Sequence, residues 1–179
     1  MLKRIAVATV AVIASLALVV AMQPAAFRVA RQATINAPAP VVYQLVSDLK
    51  AFDTWSPYAR RDPAMAKTWK GPVQGVGAVY EWSGNSEVGS GRMEIVDVDE
   101  NERVTIRLEF VAPFEATNTA EFTLTPVDES TTTVTWSLEG RNDFVGKALG
   151  LVMDMDAMVG GDFEKGLAEL KRIAEAKAR

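Results

Sequence analysis

The chain has 179 residues, a length that suits one globular domain, and a net charge of −4 from 19 basic and 23 acidic side chains. That near-balance, with no basic patch interleaved with aromatics, argues against nucleic acid as a partner. Cysteine and histidine are both absent, which excludes a disulfide framework, cysteine metal sites, and serine–histidine or cysteine–histidine catalysis.

Residues 5–22 are almost wholly apolar, interrupted only by Thr9 and Ser15 and preceded by Lys3 and Arg4. At ~1.5 Å rise per residue, a helix here is just long enough to cross a bilayer core. The rival is a cleaved signal peptide, but Met22-Gln23-Pro24 follows Ala21 and spoils the small-x-small cleavage pattern. An uncleaved single-pass membrane anchor is therefore expected, with residues 23–26 as a short linker. Lys3 and Arg4 favour a cytoplasmic amino terminus and an extracytoplasmic domain, although Arg28 and Arg31 just beyond the anchor oppose that orientation. The expected division is 1–26 as anchor and linker, and 27–179 as one domain of roughly 150 residues, enough to bury a core.

Residues 27–36 read as a first strand with Phe27, Val29, Ala33 and Ile35 on one face. Ala37-Pro38-Ala39-Pro40 stops it, and proline is tolerated in the first turn of the helix that follows. Val41, Val42, Leu45 and Val46 give that helix one apolar side. Leu49, Phe52 and Trp55 mark a second short helix, ended by Pro57.

Residues 67–139 change to period two. The loop from Gly71 to Gly77 is glycine-rich, but a strand rather than a helix follows it, so it predicts a hairpin connection and not a phosphate cradle. Ala78, Tyr80 and Trp82 share a face, and Gly84-Asn85 is a turn signal. Gly89 and Gly91 interrupt the next strand, where Met93 and Ile95 share a face while Val96 and Val98 take the opposite phase. That slip predicts a bulge near Ile95. Val104, Ile106, Leu108 and Phe110 alternate with polar residues, as do Ala120, Phe122 and Leu124, and then Val134, Trp136 and Leu138. Connections this short imply an antiparallel meander.

Residues 142–177 predict one long terminal helix. Its apolar residues Phe144, Ala148, Val152, Met155, Val159, Phe163, Leu167, Leu170 and Ala174 recur at steps of three and four. Gly146, Gly150 and Gly166 are expected to permit close approach, and Gly160-Gly161 a bend. Asp154 and Asp156 lie two apart, cannot share a proton or a metal on a helix, and are assigned to its wet side. Asp162 sits on the flank of the stripe. The fold class is α+β: a curved antiparallel sheet of about seven strands covers its apolar face with this helix, plus two short helices after the first strand and an N-terminal transmembrane helix.

Aromatics, methionines and a few polar groups around a concavity describe a pocket for an apolar ligand. Its candidate lining is Trp55, Tyr80, Trp82, Glu87, Met93, Phe110, Asn118, Phe122, Trp136, Met155, Val159 and Phe163. Glu87 is in register with Met93 and Ile95, yet a wet position beside the Gly84-Asn85 turn is favoured, because a buried lone carboxylate is expensive. For Asn118, in phase with Ala120 and Phe122, a cavity position and a marginal one stay equally open. No catalytic, metal or cofactor residues are assigned.

The strand exit Ile35-Asn36-Ala37-Pro38, the helix end Val46-Ser47-Asp48 and the stop Trp55-Ser56-Pro57 resemble the START-like (SRPBCC) superfamily, specifically its polyketide cyclase/dehydrase and lipid-transport group. Gly77-Ala78-Val79-Tyr80-Glu81-Trp82 resembles that group's second-strand region. Phe144-Val145-Gly146-Lys147, Met153-Asp154-Met155-Asp156 and the run from Gly160 to Leu167 resemble the terminal helix of bacterial members. The resemblance implies the helix-grip fold with a hydrophobic cavity between sheet and terminal helix, holding a lipid, sterol, polyketide or hormone, with cyclisation or dehydration catalysed there in some members.

Three functions compete. The first is a membrane-anchored binding protein for a small hydrophobic ligand, lipid or polyketide-like, with residues 5–22 in the membrane. The second is a cyclase or dehydratase, with Tyr80, Glu87 and Asn118 as acid/base or oxyanion groups. The third is a protein-interaction module that exposes Met153 and Met158 as a docking stripe.

Overall fold

The structure is a computed structural model and describes residues 2–179. Helix α1 (Leu2–Met22) is followed by strand β1 (Ala26–Ile35) and the short helices α2 (Ala39–Ser47) and α3 (Leu49–Trp55). A 3-10 turn (Tyr58–Arg60) leads into six strands: β2 (Ala66–Lys70), β3 (Val79–Ser83), β4 (Ser90–Asp99), β5 (Arg103–Ala112), β6 (Ala116–Asp128) and β7 (Thr131–Arg141). Helices α4 (Phe144–Leu149) and α5 (Met155–Lys177) complete the chain.

The seven strands form one antiparallel sheet in the order β1-β7-β6-β5-β4-β3-β2. Consecutive strands from β2 to β7 are neighbours, so the middle of the chain is the expected meander. β1 closes the far edge by pairing with β7, Ala26 opposite Arg141 and Ile35 opposite Thr132. The predicted bulge is present: the β4–β5 register shifts between Ile95 and Asp97, and burial changes phase from Ile95 to Val96. The connection from Gly71 to Gly77 joins antiparallel β2 and β3. Gly71 has φ +77, and a Cβ there would collide with the Gly77 carbonyl oxygen, so this tight turn requires glycine.

Pro38 opens α2 without a side-chain cap; α2 ends at Asp48, whose carboxylate caps α3 by accepting from the Lys50 and Ala51 amides. The core joins the inner faces of these helices to the sheet. Ile35, Leu45, Leu49, Trp55, Ile95, Phe122, Leu167 and Leu170 are all fully buried.

The terminal region departs from a single helix over 142–177. Asp143 caps α4 through the Gly146 amide, and Asp154 caps α5 through the Ala157 amide, so residues 150–154 form a break between two separately capped helices. The buried stripe is therefore shorter than expected. Phe163, Leu167, Leu170 and Ala174 are buried and Val159 is half-buried, but Phe144, Val152 and Met155 are exposed. Asp154 is a cap rather than a side chain on a wet helix face.

The terminal glycines also differ from expectation. α5 continues uninterrupted through Gly160 and Gly161. Gly160 makes room for Arg31, whose guanidinium occupies the space that a Cβ there would need. Arg31 clamps β1 to α5 by pairing with Asp156 and Glu164, both at 2.9 Å, and it holds the Asp156 carboxyl below its ordinary range. Gly146 would meet only Asn142, and Gly150 only carbonyl oxygens of α4 at ordinary contact distance. Gly166 does permit close approach: a Cβ would meet the Trp136 ring at 2.7 Å and Pro57 at 3.2 Å.

This contrast gives a test. A methyl group at Gly161 would have nothing within 4 Å, so Gly161→Ala raises stability by about 0.5–1 kcal/mol through helix propensity. Gly166→Ala gains the same propensity yet forces the Trp136 ring to move, at about 1–3 kcal/mol, and lowers the melting temperature. Thermal denaturation of the two variants side by side decides it; equal stabilisation by both would mean that α5 does not press on Trp136.

Candidate functional site: an aromatic cavity under the terminal helix

A cavity of about 310 Å³ lies between the concave face of the sheet and the first half of α5. Strand alternation builds its floor. Tyr80 and Trp82 of β3, Met93 of β4, and Ile106, Leu108 and Phe110 of β5 project inward, joined by Ala120 and Phe122 of β6 and by Trp136 and Leu138 of β7. Met158, Val159, Asp162 and Phe163 of α5 form the roof. Phe52, Ser56, Tyr58, Ala59, Arg61 and Met65 close one side, and Glu87 and Val88 stand at the rim.

The walls are aromatic. Trp136 stacks on Phe163 with ring centroids 4.0 Å apart and planes 9° from parallel, which fixes α5 against β7. Phe122, Phe52 and Trp55 pack around the same indole at 5.1–6.1 Å. A second ladder runs along the other wall, with Tyr80 stacked on Trp82 at 6.0 Å and Trp82 edge-on to Phe110 at 5.9 Å.

The polar groups of this region are mostly engaged by the protein itself. The Trp82 indole N–H donates to the Val88 carbonyl at 3.0 Å. The Tyr80 hydroxyl donates to Asp53 Oδ1 at 3.3 Å, and Lys67 Nζ binds both Asp53 oxygens at 2.8 Å. The Arg61 guanidinium reaches across to Asp162 Oδ1 at 2.5 Å, joining the loop after the 3-10 turn to α5. Asp162 is buried, and a second cation, Lys165, stands at 3.7 Å on the outer side. Among the described residues, no cluster of acidic side chains is placed to hold a metal ion.

All three tyrosines hold their protons unusually tightly. Burial is the largest cause for each; the charges of Glu100, Asp162 and Asp53 add to it at Tyr43, Tyr58 and Tyr80 respectively. An unfolded phenol ionises near pH ~10. Below that pH both states keep the proton and stability is unaffected. Above it the unfolded chain binds fewer protons, so stability falls as pH rises. Ultraviolet absorbance should therefore show no tyrosinate from Tyr58 or Tyr80 near pH ~10 in the native protein; theirs should appear together with the loss of ellipticity at higher pH. Ionisation of more than one tyrosine before unfolding would contradict the burial of these two side chains.

Nine of the twelve sequence-assigned residues line the cavity: Tyr80, Trp82, Glu87, Met93, Phe110, Phe122, Trp136, Val159 and Phe163. Glu87 does so from the exposed turn after β3, in the wet position favoured for it, with its amide bonded to Asn85 Oδ1. Three residues lie elsewhere. Trp55 is buried behind Phe52 and Phe122, its indole N–H held by the Leu45 carbonyl. Met155 is exposed at the first turn of α5, because the helix starts there. Asn118 is buried farther along β6, where Gly140 leaves space for its amide beside Phe27.

Sequence reasoning missed Phe52, Tyr58, Arg61, Met65 and Met158 as lining residues. Ile106, Leu108 and Leu138 were available from the same alternation that marked Phe110 and Trp136.

The model of a family described as polyketide cyclase / dehydrase and lipid transport matches residues 26–175. No match to a curated protein is found by sequence. Among solved structures, the chain is similar to the Zhui aromatase/cyclase from a Streptomyces species, with TM-score 0.62 and 15% identity over 86% of this chain and 96% of that one. It is similar to a protein from Thermobifida fusca, with TM-score 0.60 and 24% identity over 80% and 90%. Major latex-like protein 151 from Panax ginseng gives TM-score 0.58 and 18% identity over 87% and 99%. At these identities the likenesses concern the fold.

Proposed function

The chain belongs to the polyketide cyclase/dehydrase and lipid transport family, and from that premise we propose that it is a membrane-anchored binding protein for a small hydrophobic ligand, lipid or polyketide-like. The observation that carries this reading is the apolar cavity of about 310 Å³, walled by two aromatic ladders. Such a space excludes water and takes an apolar body, with Arg61 and Glu87 at the rim for a polar end.

The anchor part of the reading is supported by α1. Within Lys3–Met22 the most apolar 18-residue window has a mean hydropathy of 2.7, and 6% of it is buried by the rest of the protein. A helix that is apolar all round, and left uncovered by its own domain, suits a bilayer. Lys3 and Arg4 before it favour a domain on the extracytoplasmic side.

A cyclase or dehydratase would need acid/base groups converging on the cavity. Tyr80 is committed to Asp53 and Asp162 to Arg61, Glu87 stands in the wet rim, and Asn118 lies outside. The arrangement therefore favours binding.

Purified domain lacking residues 1–25, extracted with organic solvent and analysed by mass spectrometry, should yield an apolar molecule at near-stoichiometric amount. Ala120→Trp places a large ring inside the cavity and should abolish both the co-purified molecule and the uptake of fluorescent acyl probes. A wild-type domain that is empty and also rejects a broad panel of lipids and acyl probes would overturn the reading.

A further inference from the structure

The apolar surface of this protein is concentrated at one end of the sheet. The register places the start of β1 beside the end of β7, and the end of β5 beside the start of β6, all at the end from which α1 departs. α4 packs on the last turns of α1: Val20 is 7% exposed, and Lys147 Nζ donates to the Ala21 carbonyl at 3.2 Å. From this junction the chain presents Phe144, Val145, Leu149, Leu151, Val152 and Met153 to the exterior, with Val152 80% exposed. Phe114, at the tip between β5 and β6, is 63% exposed at the same end.

The opposite end differs. The last residues of β4 and the turn after it carry Asp97, Asp99, Glu100 and Glu102, with Arg103 paired to the first two, and the end of β6 and its turn carry Asp128 and Glu129. The exposed apolar side chains at the turns there are valines, Val127 after β6 and Val73 and Val76 in the β2–β3 connection. The concentration of exposed phenylalanine, leucine and methionine at one end marks a surface that meets something apolar.

The patch also reaches the cavity. Met158 is 45% exposed, lies one turn into α5, and lines the cavity beside Val159. The two acids between Leu151 and Met158 are occupied, Asp154 as a cap and Asp156 in the Arg31 clamp. Lys147 has a long apolar stem that suits a lipid interface.

We propose that residues 144–158 lie in the interfacial layer of the bilayer that α1 crosses, so that the cavity mouth opens onto lipid and an apolar ligand enters from the membrane. The proposal rests on the reading of α1 as an anchor and of the cavity as a ligand site. The patch adjoins the anchor through the packing of α4 on α1, which fixes its occupant: residues 23–25 alone separate α1 from β1, so this end of the domain stays at the membrane that α1 crosses. Amphipathic segments with exposed aromatic, leucine and methionine side chains bury ~5–10 Å into the headgroup boundary.

The absence of native cysteine makes the test direct. Full-length protein is reconstituted into phosphatidylcholine–phosphatidylglycerol vesicles with an environment-sensitive dye on Val152→Cys or, at the acidic end, on Glu129→Cys. The dye at 152 should be blue-shifted, shielded from aqueous iodide and quenched by lipids carrying a nitroxide near the headgroup, and the dye at 129 should show none of these. In parallel, Leu151→Glu, Val152→Glu and Met153→Glu are combined. This triple variant should take up a fluorescent phospholipid from vesicles about tenfold more slowly, the expected order for weakened interfacial burial, while binding the same probe from detergent micelles normally.

A dye at 152 that iodide reaches as readily as at 129, in protein that resists carbonate extraction, overturns the proposal, leaves the anchor reading intact and points to a protein partner for this face. Protein stripped from vesicles by carbonate overturns the anchor reading and the proposal with it. Failure of the micelle assay in wild type counts against the cavity as a ligand site and, with it, against this entry route.

Discussion

Trp136→Ala should lower folding stability by about 3–5 kcal/mol, among the largest single-residue effects expected in this protein. The indole is buried in β7, stacks on Phe163 of α5, and contacts Phe52, Trp55 and Phe122. Its removal takes away apolar burial, the stacking partner that seats α5, and the ring that Gly166 was left small to admit. The void would merge with the existing cavity, so the surroundings cannot collapse to recover the contacts. At ~2–4 °C per kcal/mol for a domain of this size, the melting temperature should fall by about 6–20 °C. Phe110→Ala, at the half-exposed rim, should cost far less. Urea denaturation of both variants checks the order; a loss below about 1 kcal/mol for Trp136→Ala would mean that α5 is held by the Arg31 clamp instead.

Arg61→Met should also be damaging, at about 2–3 kcal/mol. It strands the buried Asp162 carboxylate beneath α5. Breaking a fully buried pair costs ~3–5 kcal/mol. Here the loss is smaller, because the Arg61 side chain is 35% exposed and Lys165 remains at 3.7 Å. Adding Asp162→Leu should restore most of the stability, since two apolar side chains replace two charges at a mostly apolar boundary. Urea titration of the single and double variants gives the coupling energy directly. If the double variant is as unstable as Arg61→Met alone, the pair is not what joins the loop to the helix.

The parts of the fold legible in the sequence are those whose burial follows a strict period. Alternation over Val104–Phe110 and Ala120–Leu124 predicts strands whose inward faces are the buried ones. A phase slip of one residue locates the bulge at Ile95. Steps of three and four from Phe163 to Ala174 mark the buried side of α5.

The same spacing misleads over residues 144–155. Helical periodicity shows which residues share a face, not whether the protein or something else covers it. The signals for two helices are present as Asp143 and Asp154, each three residues before the amide it caps. For Asn118, alternation identifies the face but not the position along the strand, and the cavity ends before reaching it. Phe52 and Trp55, one turn apart on α3, both point inward, and only packing decides that Phe52 meets the cavity while Trp55 stands behind it. Arg61 lies in an irregular segment and meets an acid 101 residues away. No local pattern encodes that contact.

The short join between α1 and β1 bears on how the protein meets other molecules. Three residues span at most ~10 Å when fully extended, and the first strand is already locked into the sheet at Ala26. With α1 in a bilayer, the domain is moored on a leash shorter than its own width and cannot swing across an aqueous gap to a second membrane. Cargo would leave by returning to the same leaflet or by passing to a soluble carrier or neighbour that arrives at the mouth. Encounters with other membrane proteins would then follow from diffusion in two dimensions, and their frequency from how many copies share a given area of membrane.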